Sequence, residues 1–477
     1  MQAMNTLVPL CVDLDGTLLN SDLLLETVFT QLKCQPLAAL HWPRWLAAGK
    51  ARFKTELATL VDLEIETLPY NQAFLAFLHE QQRQGRALVL VTATHRALAE
   101  RVAAHLGLFD RVLATDGDRN LAGARKAETL VALYGERGFD YAGNAAVDVA
   151  VWRHARRAIV VNASAQVTAR ARASTEVERV FAGEGSRLTR WIKAARLHQW
   201  LKNVLIFVPL VTAHAWNDSE KLALCLLAFL SFGLCASSVY LLNDLLDLAA
   251  DRCHPRKCCR PFAAGTLPIL HGAAAIPILL LAAFVLSLWI NPPWFAACLA
   301  SYYLLTLFYS LRLKRVLMLD AIVLAGLYTL RIIAGATVAQ VSLSFWLLAF
   351  SMFLFLSLAL VKRYAELRTL LQRGELNAQG RGYRVDDLAI LQSLGGSAGY
   401  LAVLVLALYI NSPEVQKLYR QPMLIGFLCP VLLYWISRVW LFAHRGLMPD
   451  DPVIFALTDK VSRGLVLIGA LILWGAL

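Results

Sequence analysis

Charged residues are scarce in this chain: they make up 17% of its 477 residues, whereas 58% are hydrophobic. A soluble protein of this size needs a largely polar surface, so the composition excludes a single soluble globule. Acidic residues are scarcest after residue 183. Residues 1–183 hold 20 Lys and Arg against 19 Asp and Glu, a balance of +1, and residues 184–477 hold 26 against 15, a balance of +11. The positive excess therefore lies in the apolar part, which indicates a membrane protein with basic loops rather than a nucleic-acid-binding protein.

Two further absences narrow the class of protein. The nine cysteines include no C-x-x-C pair, which argues against a disulfide framework and against a cysteine-based zinc site. The first residues, MQAMNTLVPLCVDLDG, contain no basic stretch followed by a long apolar run. We therefore expect no cleaved signal peptide.

From about residue 184 onward, apolar segments long enough to span a membrane alternate with short polar loops. We predict about nine spans, at 201–216, 221–242, 269–290, 294–311, 316–338, 343–361, 388–410, 423–443 and 461–477. The basic residues of this region lie mostly in or beside loops on the side of the N-terminus; the exceptions are Lys221, Arg331, Lys417 and Arg420. The positive-inside rule then predicts a multi-pass protein of the cytoplasmic membrane with a cytoplasmic N-terminus.

The first 183 residues read as alternating strands and helices, which predicts an α/β domain. The predicted strands are Leu7–Asp13, Ala87–Thr92, Arg111–Ala114, Gly138–Ala142 and Ala158–Asn162. A long helical stretch, at about 22–84, separates the first two strands and is a candidate cap over their ends. An ordinary amphipathic helical pair with a solvated basic face explains that stretch equally well.

The first predicted strand runs directly into Asp13, Asp15 and a Gly-Thr turn. Two carboxylates at a strand end can share one Mg²⁺ while one of them attacks phosphorus, because the metal offsets their repulsion of a phosphate. Alone, the pair could be a turn with capping aspartates. Further polar residues, however, lie at the ends of later predicted elements: Thr92 ends a strand, Lys126 lies at the start of a helix, and Asn144 and Asp148 follow another strand. Their recurrence makes chance a poor explanation.

In these motifs, residues 1–183 resemble the haloacid dehalogenase (HAD) superfamily of aspartyl phosphotransferases, with a Rossmann-like fold and a helical cap. The resemblance implies that Asp13 is the nucleophile and Asp15 the general acid or base. It also implies that Thr92 binds the transferring phosphoryl group, that Lys126 stabilises its charge and that Asp148 helps Asp13 and Asp15 to hold Mg²⁺. The family commonly has an acidic residue where this chain has Asn144, so weaker metal binding is expected.

A second acidic motif follows the second predicted span and consists of Asn243, Asp244, Asp247 and Asp251. Acids at i, i+3 and i+7 fall on one face of a continuing helix, and such repelling carboxylates at a membrane boundary need a counter-ion. Mg²⁺ suits them because it bridges carboxylates to substrate phosphates. Four cationic or titratable residues follow: Arg252, His254, Lys257 and Arg260. A solvated juxtamembrane charge run would explain these bases but not the three acids.

With the predicted spans, this motif resembles the UbiA superfamily of intramembrane prenyltransferases over roughly residues 190–477. Most members join a polyprenyl diphosphate to an aromatic acceptor. The strings HQWLKN at 198–203 and NDLLDLAADRCHPRKCCRPFAAG at 243–265 look like the branch that includes decaprenyl-phosphate phosphoribosyltransferases. That resemblance implies phosphoribosyl pyrophosphate (PRPP) as the donor and a polyprenyl phosphate as the acceptor. The spacing from Asp251 to Arg260 alone does not separate the two chemistries.

Other polar residues of the apolar region are expected to line a substrate cavity. The candidates for substrate binding, with those of the second motif, are Lys202, Asn203, Asn243, Lys257, Arg260, Tyr309, Lys314, Arg331, Lys362 and Arg363. Asp320 is a further candidate metal ligand beside Asp244, Asp247 and Asp251. Arg331 lies inside a predicted span, where a lone charge needs a partner or a phosphate. Lys362 and Arg363 could instead anchor the end of a span.

The leading hypothesis is a bifunctional, Mg²⁺-dependent enzyme. A HAD-like phosphatase (1–183) would be joined through a linker or juxtamembrane helix (184–200) to an all-α transmembrane transferase (201–477). The transferase would move 5-phosphoribosyl from PRPP to a polyprenyl phosphate, and the phosphatase would remove the 5-phosphate of the product. The alternative is a prenyltransferase whose HAD-like domain is a non-catalytic interaction module. Membrane lipids are expected partners, nucleic acid is not, and a homo-oligomer is left open.

Overall fold

The computed structural model describes residues 8–116, 120–183, 186–290, 293–374, 381–412, 415, 418–449 and 451–477. The chain divides into two compact units. The first consists of Met1–Ala195 with Tyr240–Ile276, and the second of Arg196–Val239 with Pro277–Leu477. The segment that carries the second acidic motif therefore belongs to the same unit as the α/β domain. Leu7, the first residue of the first predicted strand, lies outside the described residues.

A six-stranded sheet of parallel strands forms the centre of the first unit, in the order β3-β2-β1-β4-β5-β6. The strands are β1 Leu10–Val12, β2 Leu88–His95, β3 Arg111–Thr115, β4 Asp140–Gly143, β5 Arg157–Val161 and β6 Glu176–Phe181. The predicted α/β class and its five strands are confirmed. The sequence did not predict β6, because EVERVF is an exposed edge strand without a hydrophobic run.

The inner strands are mostly buried, as expected of a parallel sheet with helices on both faces. Side chains alternate along β1: Leu10 and Val12 join one hydrophobic cluster and Cys11 joins the other. The helices of this domain are α1 Leu23–Cys34, α2 Trp42–Ala47, α3 Lys50–Leu60, α4 Gln72–Arg83, α5 Arg96–Leu106, α6 Ala124–Tyr134, α7 Val149–Trp152, α8 Ala165–Ser174 and α9 Arg187–Ala194. Helices α1 to α4 lie between β1 and β2 in the chain.

The remaining regular elements of the described residues are helices. They are α10 Val208–Thr212, α11 Ser219–Leu246, α12 Leu248–Cys253, α13 Ile269–Ser287, α14 Trp294–Leu311, α15 Leu319–Ala339, α16 Phe345–Gln372, α17 Leu388–Ile410, α18 Pro422–Ile425, α19 Leu428–His444, α20 Pro452–Thr458 and α21 Lys460–Ala476. Of the long apolar helices that the structure describes, α15 is the most buried: 67% of its most apolar 18-residue stretch lies inside the protein. An ideal Cβ on Gly335 would lie 2.0 Å from the Ile206 carbonyl oxygen, so this glycine permits close packing of the backbone.

In the part of the chain that the structure describes, seven helices are long and apolar enough to cross a membrane. The predicted count of nine is not confirmed. The first predicted span forms a 3₁₀ stretch, Leu197–Phe207, that continues into the five-residue α10. The last is α21, whose 17 residues extend about 26 Å, less than the roughly 30 Å of a hydrocarbon core. Both segments are apolar, but neither is a helix of full spanning length.

Candidate active sites

The strand order of the α/β domain places its candidate site. The chain leaves β1 toward β2 on one side, and β4 pairs with β1 on the other, so the order reverses between β1 and β4. Ligands of open α/β sheets bind at such a point, beyond the carboxyl ends of the strands. Asp13 directly follows β1, and its backbone N–H donates to the Ala142 carbonyl in β4 (3.0 Å). Asp13 and the loop after β4 therefore share one edge of the sheet.

A buried chain of hydrogen bonds joins three predicted residues through a fourth that the sequence did not indicate. The Lys126 ammonium donates to Asp13 Oδ1 (2.7 Å) and to the Tyr141 hydroxyl (2.9 Å), which donates to Asp148 Oδ1 (2.9 Å). Burial raises the pKa of Asp13 to about 6, and the Asp148 charge adds to this, while Lys126 opposes it. Burial lowers the pKa of Lys126, but Asp13 and Asp148 more than offset that effect, so Lys126 remains a cation.

Asp15 lies in a different environment. Its Oδ2 accepts from the Thr94 hydroxyl (2.6 Å) and its Oδ1 from the Leu23 N–H (2.9 Å). Burial, followed by the charge of Asp22, raises the pKa of Asp15 to about 7, so it can hold a proton near neutral pH, as a general acid requires. Thr92 is fully buried, and its Oγ1 accepts from the Thr94 N–H (3.0 Å). Thr94, which sequence reasoning missed, therefore connects Thr92 to Asp15.

The donor set around Asp13 and Asp148 fits a magnesium ion. Their carboxylates are close enough for Asp148 to raise the pKa of Asp13, and a divalent cation would offset this repulsion. Asn144 adds an amide oxygen: its side chain packs on Gly16 (φ 75°), where an ideal Cβ would lie 1.9 Å from Nδ2. Among the described residues, no group of three or more Asp, Glu, His or Cys side chains is placed to hold a metal. The candidate set is thus two carboxylates and one amide.

Replacing Asn144 with Asp is expected to tighten Mg²⁺ binding about tenfold, because the affinity of such sites rises with the charge of their ligands. The two side chains have the same shape, so the contact with Gly16 is retained. The check is the Mg²⁺ concentration for half-maximal hydrolysis of p-nitrophenyl phosphate by the full-length protein. The uncharged Asn144→Ser variant is the control. Equal Mg²⁺ dependence of Asn144→Asp and the native protein would exclude Asn144 from the metal site.

Lys54, on α3, reaches the same edge of the sheet and was not predicted. Its ammonium donates to the carbonyl of Ala93 (2.6 Å), the residue after Thr92, and to Asn120 Oδ1 (3.2 Å). Burial lowers the pKa of Lys54, although the charges of Asp15 and Asp22 oppose this. A cation from the helices after β1 thus lies beside the residues expected to bind a phosphoryl group. Sequence reasoning could not find it, because Lys54 lies in a run of ordinary basic residues.

The second acidic motif is less regular than expected. Helix α11 ends at Leu246, and Asp247 (φ −105°, ψ 18°) separates it from α12, so the prediction of one continuing helix is wrong at Asp247. Asp244 and Asp251 are buried, and both contact Arg260, with Asp244 Oδ1 3.1 Å from Nη1. Asp247 instead contacts the Lys33 ammonium (2.7 Å). The three carboxylates therefore contact two different cations.

The contacts of Arg260 also test the predicted magnesium ion at this motif. One guanidinium lies against both Asp244 and Asp251, which shows that the two buried carboxylates together take a cation. Their hard oxygen donors suit Mg²⁺. Lys257 begins the short 3₁₀ helix Lys257–Cys259, one turn before Arg260, and Asn243 precedes Asp244 in the last turn of α11. The two carboxylates therefore fit a metal, and Arg260 is a cation beside them.

Arg331 and Lys202 belong to one polar group of the second unit. Arg331, predicted to need a partner inside its span, donates to Asn203 Oδ1 (2.9 Å), the Tyr302 hydroxyl (2.9 Å) and the Leu327 carbonyl (2.7 Å). Lys202 forms a buried ion pair with Asp451, and Lys362 lies 3.9 Å from the same carboxylate. The Tyr328 ring lies below both Lys202 and Arg331, at 5.6 Å from each cation. Four predicted substrate-binding residues therefore share one neighbourhood.

Asp320 and Arg363 form a second polar group of this unit. Arg363 Nε lies 2.6 Å from Asp320 Oδ2, the Tyr383 hydroxyl donates to Asp320, and Arg363 Nη2 donates to the Tyr309 hydroxyl (3.0 Å). Glu366 also contacts Arg363 (2.8 Å). Asp320 is thus the buried counter-ion of an arginine, and its role as a metal ligand stays a prediction. Lys314 lies half-buried in the 3₁₀ helix Leu313–Arg315.

Comparison with known proteins places both parts of the chain in families. Residues 204–446 match the UbiA prenyltransferase family, and residues 10–153 match haloacid dehalogenase-like hydrolase. The protein y4nM of Sinorhizobium fredii is 36% identical over 470 residues, which cover 98% of this chain and 90% of that protein. Nodulation protein NoeC of Azorhizobium caulinodans is 39% identical over 272 residues, 57% of this chain and 88% of NoeC.

A third relative is the decaprenyl-phosphate phosphoribosyltransferase of Mycolicibacterium smegmatis. It is 38% identical over 181 residues, which cover 37% of this chain and 57% of that enzyme. Both resemblances that the sequence motifs indicated are thereby confirmed. The chain is an integral membrane protein that belongs to the UbiA prenyltransferase family and carries a haloacid dehalogenase-like domain on its N-terminal side.

Proposed function

We propose that this protein is a bifunctional enzyme of the cytoplasmic membrane. Its transferase (201–477) moves the 5-phosphoribosyl group of PRPP to a polyprenyl phosphate and releases pyrophosphate. Its HAD-like domain (1–183) removes the 5-phosphate of the product. The observation that carries the transferase proposal is the contact of Arg260 with both Asp244 and Asp251, next to Lys257, because it combines a metal-binding acid pair with cations for phosphate oxygens. The similarity to phosphoribosyltransferases supports PRPP as the donor.

The transfer step needs positioning and charge stabilisation more than covalent chemistry. Departure of pyrophosphate builds positive charge at the anomeric carbon of the ribose, and the polyprenyl phosphate oxygen then forms the new C–O bond. Asp244 and Asp251 would hold Mg²⁺, Asp247 would join them on leaving Lys33, and the metal would neutralise charge on the leaving diphosphate. Arg260 and Lys257 would donate to phosphate oxygens. Within the second unit, Lys202, Lys362 and Arg331 form a cationic group that would suit an anionic ligand.

Purified membranes supplied with labelled PRPP and a polyprenyl phosphate test the donor directly. The expected result is a labelled lipid whose mass equals that of polyprenyl-phosphoryl ribose, with or without the 5-phosphate. Unlabelled lipid, together with transfer from a prenyl diphosphate to an aromatic acceptor, would establish the alternative prenyltransferase instead. The mass also shows whether the 5-phosphate has been removed.

The phosphatase proposal uses the network around Asp13. The Asp13 carboxylate would attack phosphorus and form an aspartyl-phosphate while Asp15, with its raised pKa, gives a proton to the leaving alcohol. Lys126 would stabilise the charge of the phosphoryl oxygens. Water would then hydrolyse the acyl phosphate and restore Asp13. A lipid-linked product in the same chain gives this site a high effective concentration of substrate.

The proposed cytoplasmic position of the HAD-like domain follows from contacts inside the first unit. Arg252 and Asp247 of the basic segment after α11 contact Glu26 and Lys33 of α1. These contacts support a position of the domain on the side of the membrane to which that basic segment would belong. The positive-inside rule assigns basic loops to the cytoplasm.

Replacing Lys54 with Met is expected to raise the KM for a phosphate ester about tenfold with a smaller effect on kcat, since a charged hydrogen bond to substrate is lost while Asp13 and Lys126 are untouched. The measurement is steady-state hydrolysis of p-nitrophenyl phosphate by the full-length protein. Lys50, exposed at the start of the same helix, provides the control variant Lys50→Met. An unchanged KM in Lys54→Met would limit Lys54 to its contacts with Ala93 and Asn120.

A further inference from the structure

One face of α1 runs along the second acidic motif. Glu26 and Lys33 are seven residues apart, so they lie on the same side of this helix. Glu26 accepts from Arg252 (Oε2 to Nη1, 3.2 Å), the residue after Asp251, and Lys33 contacts Asp247 (2.7 Å). The same helix donates its Leu23 N–H to Asp15 of the phosphatase site. A single helix thus contacts residues of both candidate active sites.

The contact between α1 and the acidic segment is anchored at several points besides Lys33. The Glu26 and Arg252 side chains are only 3% and 7% exposed, and the Ser21 hydroxyl also donates to Glu26. Gly265 (φ 67°) lies so close to Asn20 that a Cβ would be 2.4 Å from the Asn20 carbonyl oxygen. Arg190 Nη1 donates to the Thr266 carbonyl (3.0 Å). Buried contacts therefore hold α1 against the acidic segment, and the partly exposed Lys33 side chain reaches Asp247 from there.

These contacts indicate different roles for the cations in and beside the acidic segment. Arg252 is held by Glu26 and by the Ala263 carbonyl (3.0 Å), so it is a structural residue. Arg260 contacts Asp244 and Asp251, and Lys33 contacts Asp247. Magnesium sites bridge protein carboxylates to substrate phosphates. A cation hydrogen-bonded to such a carboxylate is consequently placed beside the phosphate oxygens on the same ion.

We propose that Lys33 is a diphosphate-binding residue of the transferase, supplied by the HAD-like domain. Its ammonium would donate to the diphosphate of the donor once the metal occupies Asp247. The inference rests on the proposed function only in requiring a diphosphate donor, and it holds for PRPP and for a prenyl diphosphate alike. It gives the fusion of the two domains a chemical reason, because the transfer site is complete only with the first helix of the phosphatase.

The test is the binding of Mg²⁺-pyrophosphate to the full-length protein in detergent, measured by calorimetry. Lys33→Ala is expected to weaken binding about tenfold, as the loss of a charged hydrogen bond implies, and Lys33→Arg to retain most of it. With the diphosphate donor that the native protein uses, Lys33→Ala should raise KM by a similar factor and change kcat much less. Lys50→Ala, on an exposed residue of the same domain, is the control.

Three results would overturn the proposal. Unchanged Mg²⁺-pyrophosphate affinity in Lys33→Ala would show that Lys33 does not contact the diphosphate. Tighter binding of Mg²⁺ or of Mg²⁺-pyrophosphate would show that Lys33 competes with the metal for Asp247. Equal losses in Lys33→Ala and Lys33→Arg, with a lowered melting temperature, would show a purely structural contact. Failure of PRPP as donor contradicts the proposed function but leaves this binding measurement intact, so the two failures are distinguishable.

Discussion

Replacing Asp13 with Asn is expected to reduce phosphate release by the full-length protein at least about a thousandfold, the scale of loss when a nucleophile is removed. An amide nitrogen or oxygen does not form the acyl phosphate. The substitution also removes the carboxylate that Lys126 contacts at 2.7 Å. The shape of the side chain is retained, and the backbone hydrogen bond from Asp13 to Ala142 does not involve the side chain. Lys126 keeps its hydrogen bond to Tyr141 and the nearby charge of Asp148, so the protein should still fold but without turnover.

The measurement for Asp13→Asn is hydrolysis of p-nitrophenyl phosphate with Mg²⁺, together with trapping of an acyl phosphate from a labelled substrate. The native protein should give a label that hydroxylamine releases, and the variant should give none. Asp62, whose side chain is 89% exposed, supplies the control variant Asp62→Asn. Activity retained in Asp13→Asn would exclude Asp13 as the nucleophile, and a HAD-like domain inactive in the native protein would support an interaction module.

The sequence predicted much of the phosphatase site because its residues follow strands. Parallel strands end at a common edge of the sheet, so polar residues after β1 and β4 had to meet there, and Asp13 and Asp148 do. Tyr141 escaped prediction because an aromatic residue in a buried strand reads as core. Lys54 escaped because its partners, Ala93 and Asn120, are distant in sequence. Local patterns carry no information about such tertiary contacts.

In the membrane part, the sequence predicted the helices better than the arrangement of the site. Apolar length predicted the long helices well, but its count of nine spans is not confirmed, because the segments at 201–216 and 461–477 are apolar but form shorter helices. Periodicity predicted one face for the three acids, but Asp247 interrupts the helix. The consequence is chemical: Asp247 contacts a lysine of the α/β domain instead of sharing Arg260 with Asp244 and Asp251.

Replacing Asp247 with Asn is expected to reduce transfer to the lipid acceptor at least about a hundredfold, since a charge that would hold Mg²⁺ is lost. Folding should survive. The Asp247 side chain is 26% exposed, and an ion pair of this exposure contributes only about 0–1 kcal/mol to stability. Asp244 is a poorer choice for this test, because it is buried against Arg260 and its loss would leave that cation with one carboxylate.

The measurement for Asp247→Asn is the formation of labelled lipid from a labelled donor over a range of Mg²⁺ concentrations. Asp218→Asn, on a partly exposed residue that precedes α11, is the control. Normal transfer in Asp247→Asn would remove Asp247 from the metal site. Phosphate release at the Asp13 site should stay at the native rate, because an Asn at 247 can still accept from Lys33. A parallel fall of both activities would instead show that the variant disturbs the contact between α1 and the acidic segment, and would assign Asp247 a structural role.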